Sequence, residues 1–315
     1  MEAISGHGLR NYDLVTLGNV LRVCDIDLVL LDDQPPTANI TSFIHDQALL
    51  CTLQAGSHVR GRFLLPTDWC LLGCVHEVDG RQSWCHGVPM APGGVFSVMP
   101  EGITEFALGA GTRMTFVLLP LARFQQRSSQ ATLTGDFDLA SVPLLSDAPL
   151  APLQRYYQGL SERIVQGEVE GEEISMMLDV HVRHVIANGT LARASCSRSR
   201  LSRYLIFRRA EDFMHANLRR HIYMHELYAA AGVSERALRY AFEEMVGISP
   251  VRYLSMLRLC EACRSLASSN AGRKSVKAIA LSCGLWDLSR FADNYRRVFG
   301  ELPRDTLMRS SHLQA

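Results

Sequence analysis

Two stretches in the last third of the chain carry arginines in a repeated setting. Arg236, Arg239 and Tyr240 fall between Glu235 and Met245, and Ser289, Arg290 and Asp293 fall in a segment that ends near Phe299-Gly300. In the first stretch Leu238 and Phe242 stand at i and i+4 and define an inward face. That leaves Arg236, Arg239, Tyr240 and Glu243 outward or flanking. In the second, Phe291, Tyr295 and Phe299 form the inward stripe, and Ser289, Arg290, Arg296 and Arg297 remain available. The arginine fork donates two hydrogen bonds to O6 and N7 of guanine, so an arginine projecting from a helix suits readout of a base edge. Lys274, Lys277, Trp286, Arg296 and Arg297 suit phosphate or structural contacts, which position a protein on a duplex without reading sequence.

These side chains need a frame that holds one helix out to a groove. The first copy runs from Met224 to Ala231, turns at Gly232-Val233-Ser234 and continues from Glu235; the second runs from Ser275 to Cys283, turns at Gly284-Leu285 and continues to Phe299. Glycine supplies the left-handed residue that lets two helices cross steeply, and Ser234 caps the helix that follows it. This is the layout of a helix-turn-helix reader, predicted at about 224–245 and again at 275–298. Between the copies, Pro250 to Ala267 reads as one helix with Tyr253, Leu254, Leu257, Ala262 and Leu266 on its apolar face. At ~1.5 Å per residue it spans roughly 27 Å. With helix widths added, that approaches the ~34 Å between major-groove faces on one side of a duplex.

From about Arg209 to Arg309 the chain resembles the AraC/XylS family of bacterial transcription regulators, loosely including the ethanolamine-utilisation regulators. The resemblance rests on Gly232-Val233-Ser234, Leu238, Phe242, Gly247-Ile248-Ser249-Pro250, Tyr253, Arg258, Ala262, Ile279-Ala280, Cys283-Gly284, Phe291, Phe299-Gly300 and Pro303. The chain departs from the family pattern at Tyr228, at Leu285 and at Arg304-Asp305-Thr306-Leu307. The resemblance implies DNA contact through Ser234, Arg236, Arg239, Tyr240, Ser289, Arg290 and Asp293. It also implies double-stranded promoter or operator DNA, a small-molecule effector and RNA polymerase as partners, with a homodimer as a further expectation.

The formal net charge is +0. Residues 201–315 nevertheless hold 18 Lys and Arg against 11 Asp and Glu, a net +7, which leaves −7 on the remainder. A basic module on an acidic one suggests a polyanion-binding end and an end that stays off the polyanion. No apolar run approaches the ~18–20 residues needed to cross a bilayer. The N-terminus lacks the basic-then-apolar pattern of a signal peptide. Nine cysteines at scattered spacing fit a reducing cytosol, so a cytoplasmic protein is expected.

The fold class expected is α+β, with a β-rich regulatory domain over 1–150, a helical pair and linker over 151–202, and a DNA-binding domain over 203–315. Short apolar runs read as strands at Val23–Leu31, Phe43–Leu53, Arg62–Leu65, Trp69–Val78, Gly94–Met99, Thr104–Leu108 and Arg113–Leu119. Many short strands punctuated by turns suggest a sandwich or barrel, and the resemblance implies a cupin-like, effector-binding one. Pro120 to Pro152 shows no clear element. Leu153–Val165 and Glu172–Ile186 carry helical spacing, with Ile174, Met177, Leu178, Val182 and Val185 on one face, either an intradomain core or a dimer contact. Asn188–Ser202, rich in Ser and Arg, has the composition of an exposed linker, and a helix is expected from about Tyr204 to Ala216.

A different chemistry is suggested by Cys70, Cys74, His76, Cys85 and His86. If Asp79-Gly80 forms a two-residue hairpin turn, Cys74 lies opposite Cys85 with His76 on the same face, a metal or thiol-redox arrangement. The alternative is that these cysteines are small buried hydrophobes. A metal-dependent cupin enzyme is a remote alternative, because His58-Val59-Arg60 has arginine where a second ligand would stand. No metal, cofactor or catalytic residue is expected, and the N-terminal part could instead be a ligand-free protein-interaction module.

Overall fold

The computed structural model describes residues 9–10, 25–78, 83–100, 102–131, 145–146, 151–188, 196–269 and 274–313. Its N-terminal part is built from two antiparallel sheets. The strands are β1 (Leu9–Arg10), β2 (Asp25–Leu30), β3 (Ala38–His45), β4 (Ala48–Ala55), β5 (Val59–Leu64), β6 (Trp69–Glu77), β7 (Trp84–Cys85), β8 (Val88–Pro89), β9 (Val95–Val98), β10 (Ile103–Leu108), β11 (Arg113–Pro120) and β12 (Leu145–Ser146). The larger sheet has the order β1-β3-β4-β11-β6-β9-β12 and the smaller β2-β5-β10-β7-β8. Their facing sides share a core of Leu49, Leu71, Val75, Phe96, Met114 and Phe116 with Val59, Phe63, Cys85 and Phe106. Of the sandwich and the barrel that the short, turn-punctuated strands suggest, two separate facing sheets make a sandwich.

The run read as one strand over Phe43–Leu53 is a hairpin. Asp46 and Gln47 both adopt positive φ, at 43° and 62°, and pair β3 with β4 from Ala38↔Ala55 to His45↔Ala48. The region after Pro120 also holds structure: Leu121–Ala131 is a helix, α1, with Phe124 and Ser128 buried. Helices α2 (Ala151–Gln166) and α3 (Gly171–Asn188) cover the outer face of the larger sheet, against Leu50, Cys70, Leu72, Cys74 and Val117. Ile174, Met177, Leu178, Val182 and Val185 are each at most 2% exposed. That stripe is core, and a second copy of the chain would have to use other residues.

Seven helices follow: α4 (Arg198–Ala216), α5 (Met224–Ala231), α6 (Glu235–Val246), α7 (Pro250–Ala267), α8 (Val276–Ser282), α9 (Leu288–Phe299) and α10 (Pro303–Leu313). The linker expectation needs correction at its C-terminal end. Ser197 caps α4 through its hydroxyl, which accepts from the Arg200 N–H at 3.2 Å, so Arg198 to Ser202 are helical. Residues 189–195 of that stretch lie outside the described residues. Within α4, the Arg200 Nε donates to the Gly87 carbonyl at 2.8 Å and ties the helix to the β8 turn.

The two parts meet across the smaller sheet. Side chains alternate along a strand, so one face of β2, β5, β7 and β10 looks into the sandwich and the other toward the helices. Trp84, Val29 and Ala107 join the same core as Phe207, Phe242, Tyr253 and Leu257. Both helix-turn-helix units sit on a core that is continuous with the smaller sheet.

Candidate nucleic-acid interface

In the first motif, α5 ends at Gly232 with φ 68°, and the Val233 N–H donates back to the Tyr228 carbonyl at 3.1 Å. Ser234 then caps α6, accepting from Ala237 N at 3.4 Å. In the second motif α8 leads to Gly284 at φ 74°, and the Leu285 N–H donates to the Ala280 carbonyl at 3.0 Å. The closing bond spans the same five residues in both copies, as a glycine-terminated helix requires. Asp287 caps α9, its carboxylate accepting from Arg290 N at 3.0 Å, a cap not singled out in the sequence.

The inward and outward faces fall as the spacing predicts, with one change. In α6, Leu238, Ala241, Phe242, Met245 and Val246 are buried. In α9 the fully buried residues are Phe291, Tyr295 and Val298, and Phe299 is only partly covered. Ser234, Arg236, Arg239 and Tyr240 are exposed, as are Lys274, Lys277, Trp286, Ser289, Arg290, Asp293, Arg296 and Arg297. Arg236 lies along its own helix, its guanidinium 5.4 Å over the Tyr240 ring and donating to the phenol oxygen at 3.1 Å. Arg239 stands 3.8 Å from Glu235, with both side chains more than 60% exposed. Contacts this exposed are weak and give way to a phosphate or base edge.

The two turn glycines differ in what surrounds them. A Cβ at Gly232 would meet only the Arg209 guanidinium, at 3.9 Å, whereas one at Gly284 would lie 2.5 Å from the Leu218 carbonyl oxygen. Gly232→Ala is therefore expected to cost about 1–2 kcal/mol, the left-handed backbone term alone. Gly284→Ala should cost clearly more, because a backbone oxygen cannot step aside. Urea denaturation of the two variants measures this, and equal losses would contradict it.

The cysteine arrangement is corrected. β6 and β7 belong to different sheets, and Cys74 pairs with Val95 and Thr115 while Cys85 pairs with Phe106 and Val88. Cys74 lies under α2 on the outer face of one sheet, and Cys85 faces the interior from the other. The proposed turn residues Asp79-Gly80 lie outside the described residues. Burial pushes the Cys70, Cys74 and Cys85 thiols up to about 12, so they are poor thiolates. His76 Nε2 is 2.8 Å from the Thr115 hydroxyl, and burial with Arg113 nearby lowers its pKa to about 4. Among the described residues no group of three or more His, Cys, Asp or Glu is placed to hold a metal.

Two features behind the reading surface were not found in the sequence. The first is a buried charge cluster at the sheet–helix junction. Arg60 lies 2.8 Å from Glu211 of α4 and 3.5 Å from Glu105, and its guanidinium stands 5.1 Å over Trp84. Arg62 also pairs with Glu211 and with Asp212 at 2.8 Å, while the Tyr253 and Tyr204 hydroxyls donate to Glu211 and Glu105. Burial would raise the Glu211 carboxyl, but Arg60, Arg62 and the Tyr253 hydroxyl outweigh it and bring it down to about 2. The first motif and the helix that connects the two motifs are touched from this side. Trp84 Nε1 donates to the Met245 carbonyl of α6 at 2.7 Å, and Asp33, just after β2, pairs with Arg252 on the first turn of α7. The alternation Arg60-Gly61-Arg62 was the available signal, but its partners lie some 150 residues away.

The second feature is a cavity of about 140 Å³ between the sheets, lined almost wholly by apolar side chains. Leu28, Phe63 and Phe106 come from the sheet that carries the charge cluster on its other side, and Leu53, Phe96 and Phe116 from the sheet opposite. One layer of backbone separates its wall from α4 and α7.

Two capped helix pairs with arginines outward on a common scaffold define a helix-turn-helix DNA-binding protein. A family model described as a helix-turn-helix domain matches residues 227–309. The chain belongs to the AraC/XylS family of transcription regulators. It is 35% identical over 132 residues to XylDLEGF operon transcriptional activator 2 of Pseudomonas putida, covering 40% of this chain and 83% of that protein. It is 41% identical over 104 residues to XylDLEGF operon transcriptional activator 1 of the same species, covering 33% of this chain and 31% of that protein. The chain thus spans about a third of the length of the first curated relatives it matches. A solved structure of a probable AraC family transcriptional regulator from Rhodopseudomonas palustris CGA009 is 36% identical, covering 33% of this chain and 96% of that one with TM-score 0.31.

Proposed function

We propose that this protein is a sequence-specific transcription regulator of the cytoplasm that reads two successive major-groove segments with α6 and α9. In this reading its N-terminal sandwich senses a small-molecule effector in the cavity between the sheets. The observation that carries the DNA half is the repetition: two motifs with the same glycine closure, the same oxygen cap and exposed arginines on the following helix. The shared sheet supports the sensing half. The strands that wall the cavity also hold Arg60, Arg62 and Trp84 against α4 and α6, so a ligand that shifts those strands changes how the reading helices are held. Promoter DNA and RNA polymerase are the partners proposed, and a homodimer would use surfaces other than the buried face of α3.

Mapping binding sites of the full chain across its source genome tests the DNA half. Discrete sites with two contacted segments about one helical turn apart are expected. Uniform, sequence-independent occupancy would overturn it. The charge contacts have a separate signature. Lys277→Ala is expected to weaken binding to all sequences alike and to lower the salt slope of log K by about one unit. A change confined to one sequence would place Lys277 at a base instead.

A further inference from the structure

We propose that the cavity between the sheets takes a small, uncharged, apolar molecule, about a benzene ring with a short alkyl substituent, and rejects the matching carboxylate. The proposal rests on the effector reading above and names the ligand class for that site. Size is the first argument. The cavity measures about 140 Å³, and an apolar cavity of about 150 Å³ in another protein holds benzene.

Lining is the second argument. Among the described residues the only polar side chains at the wall are Thr37, Ser57 and Thr104. The Ser57 hydroxyl already accepts from the Thr37 backbone N–H at 3.0 Å. Among the described residues no Arg, Lys, His, Asp or Glu lines the space. A carboxylate entering it would be stripped of water with no counter-charge, and a sugar would leave several hydroxyls unbonded. Arg60 and Arg62 are on the wrong side: they alternate with the lining residues Val59 and Phe63, so they leave the opposite face of the sheet and meet Glu211.

Two glycines explain why the space is open and aromatic. Gly61 pairs with Phe106 across β5 and β10, and Gly73 pairs with Phe96 across β6 and β9. In each case the outer end of the phenylalanine ring occupies the space beside the glycine, so close that an added Cβ would fall 2.1 Å from its Cζ. The two rings therefore lie against opposite walls and line the gap, with Phe63 5.9 Å from Phe106 beside them. Apolar, partly aromatic walls with few hydrogen-bonding groups favour an uncharged ring or compact alkyl group.

The test uses the full chain and matched probe pairs, toluene with benzoate and ethylbenzene with phenylacetate. The neutral member of each pair is expected to raise the melting temperature by about 3–5 °C at 100-fold excess over its Kd, and the carboxylate to leave it unmoved. Location is read in the wild-type protein from methionine methyl resonances. Met90 and Met114 line the cavity and should show ring-current shifts with the neutral probes, while exposed Met176 and Met308 should not. Leu53→Trp, which fills the cavity from a partly exposed position, should weaken the neutral probes at least 10-fold. Carboxylates that stabilise as well as the neutral probes would overturn the ligand class while leaving an effector site in place. Neutral probes that bind without moving Met90 and Met114 would overturn the assignment to this cavity. If neither member of a pair binds but a polar metabolite does, the class is wrong and the sensor reading stands; if nothing in a broad metabolite panel binds, both fall.

Discussion

Glu211→Ala is expected to destabilise the folded chain by about 3–5 kcal/mol, the loss typical when one partner of a buried ion pair is removed. The carboxylate is 1% exposed and serves Arg60, Arg62 and the Tyr253 hydroxyl together. Its removal leaves Arg60, itself 1% exposed, with Glu105 at 3.5 Å as the remaining carboxylate partner. Urea unfolding at neutral pH reads the loss, and a change below about 1 kcal/mol would mean that water reaches the cluster. The pH dependence has a definite sign. A carboxyl held near 2 in the folded chain, against an ordinary 4.5, contributes stability that is complete above about 4.5. That contribution is lost as pH falls toward 2, so the gap between wild type and Glu211→Ala should narrow over that window. A gap that stayed constant down to pH 2.5 would remove Glu211 as its source.

The second large effect divides the reading between the two motifs. Arg239→Ala and Arg290→Ala are each expected to cost about 1–3 kcal/mol at one base position and to relax the preference there. The two sites lie on separate helices without shared partners, so the double variant should lose roughly the sum. Selection of binding sites from randomised duplexes checks both. Each variant should flatten one block of the recognised sequence and leave the other intact. If Arg239→Ala leaves every position unchanged while Arg290→Ala flattens the whole site, only α9 reads bases. If neither flattens any position, the reading faces are elsewhere.

The helical third of this fold was legible because its signals are local. Gly232, Ser234, Pro250 and Gly284 each impose a backbone conformation or a cap within a few residues, and the α7 bounds follow from Pro250 and the apolar face. The β-rich part was legible in strand content but not in pairing. Asp46-Gln47 turns without the usual glycine, so β3 and β4 merged into one run. Cys74 and Cys85 looked like hairpin neighbours because nothing in the sequence marks the change of sheet between them. Helix α1 was hidden because its two buried side chains, Phe124 and Ser128, give almost no apolar stripe. The exposed faces of α6 and α9 were found from spacing, while Arg60, Arg62 and Glu211 were missed because opposite charges at long separation carry no periodicity.

That separation has a consequence for how the protein is made. Arg60 and Glu211 are 151 residues apart, and Tyr253 follows later still. A ribosome adding about 5–20 residues per second delivers the smaller sheet on the order of 10 s before α4 and α7 exist to cover it. Through that interval the nascent sandwich presents Trp84, Val29 and two arginines that share one carboxylate, Glu105, on an open face. The arginines keep the waiting face hydrated and mutually repellent between neighbouring nascent chains, then become the buried clasp once Glu211 emerges. The charge cluster thus guards the half-made protein before it stabilises the finished one.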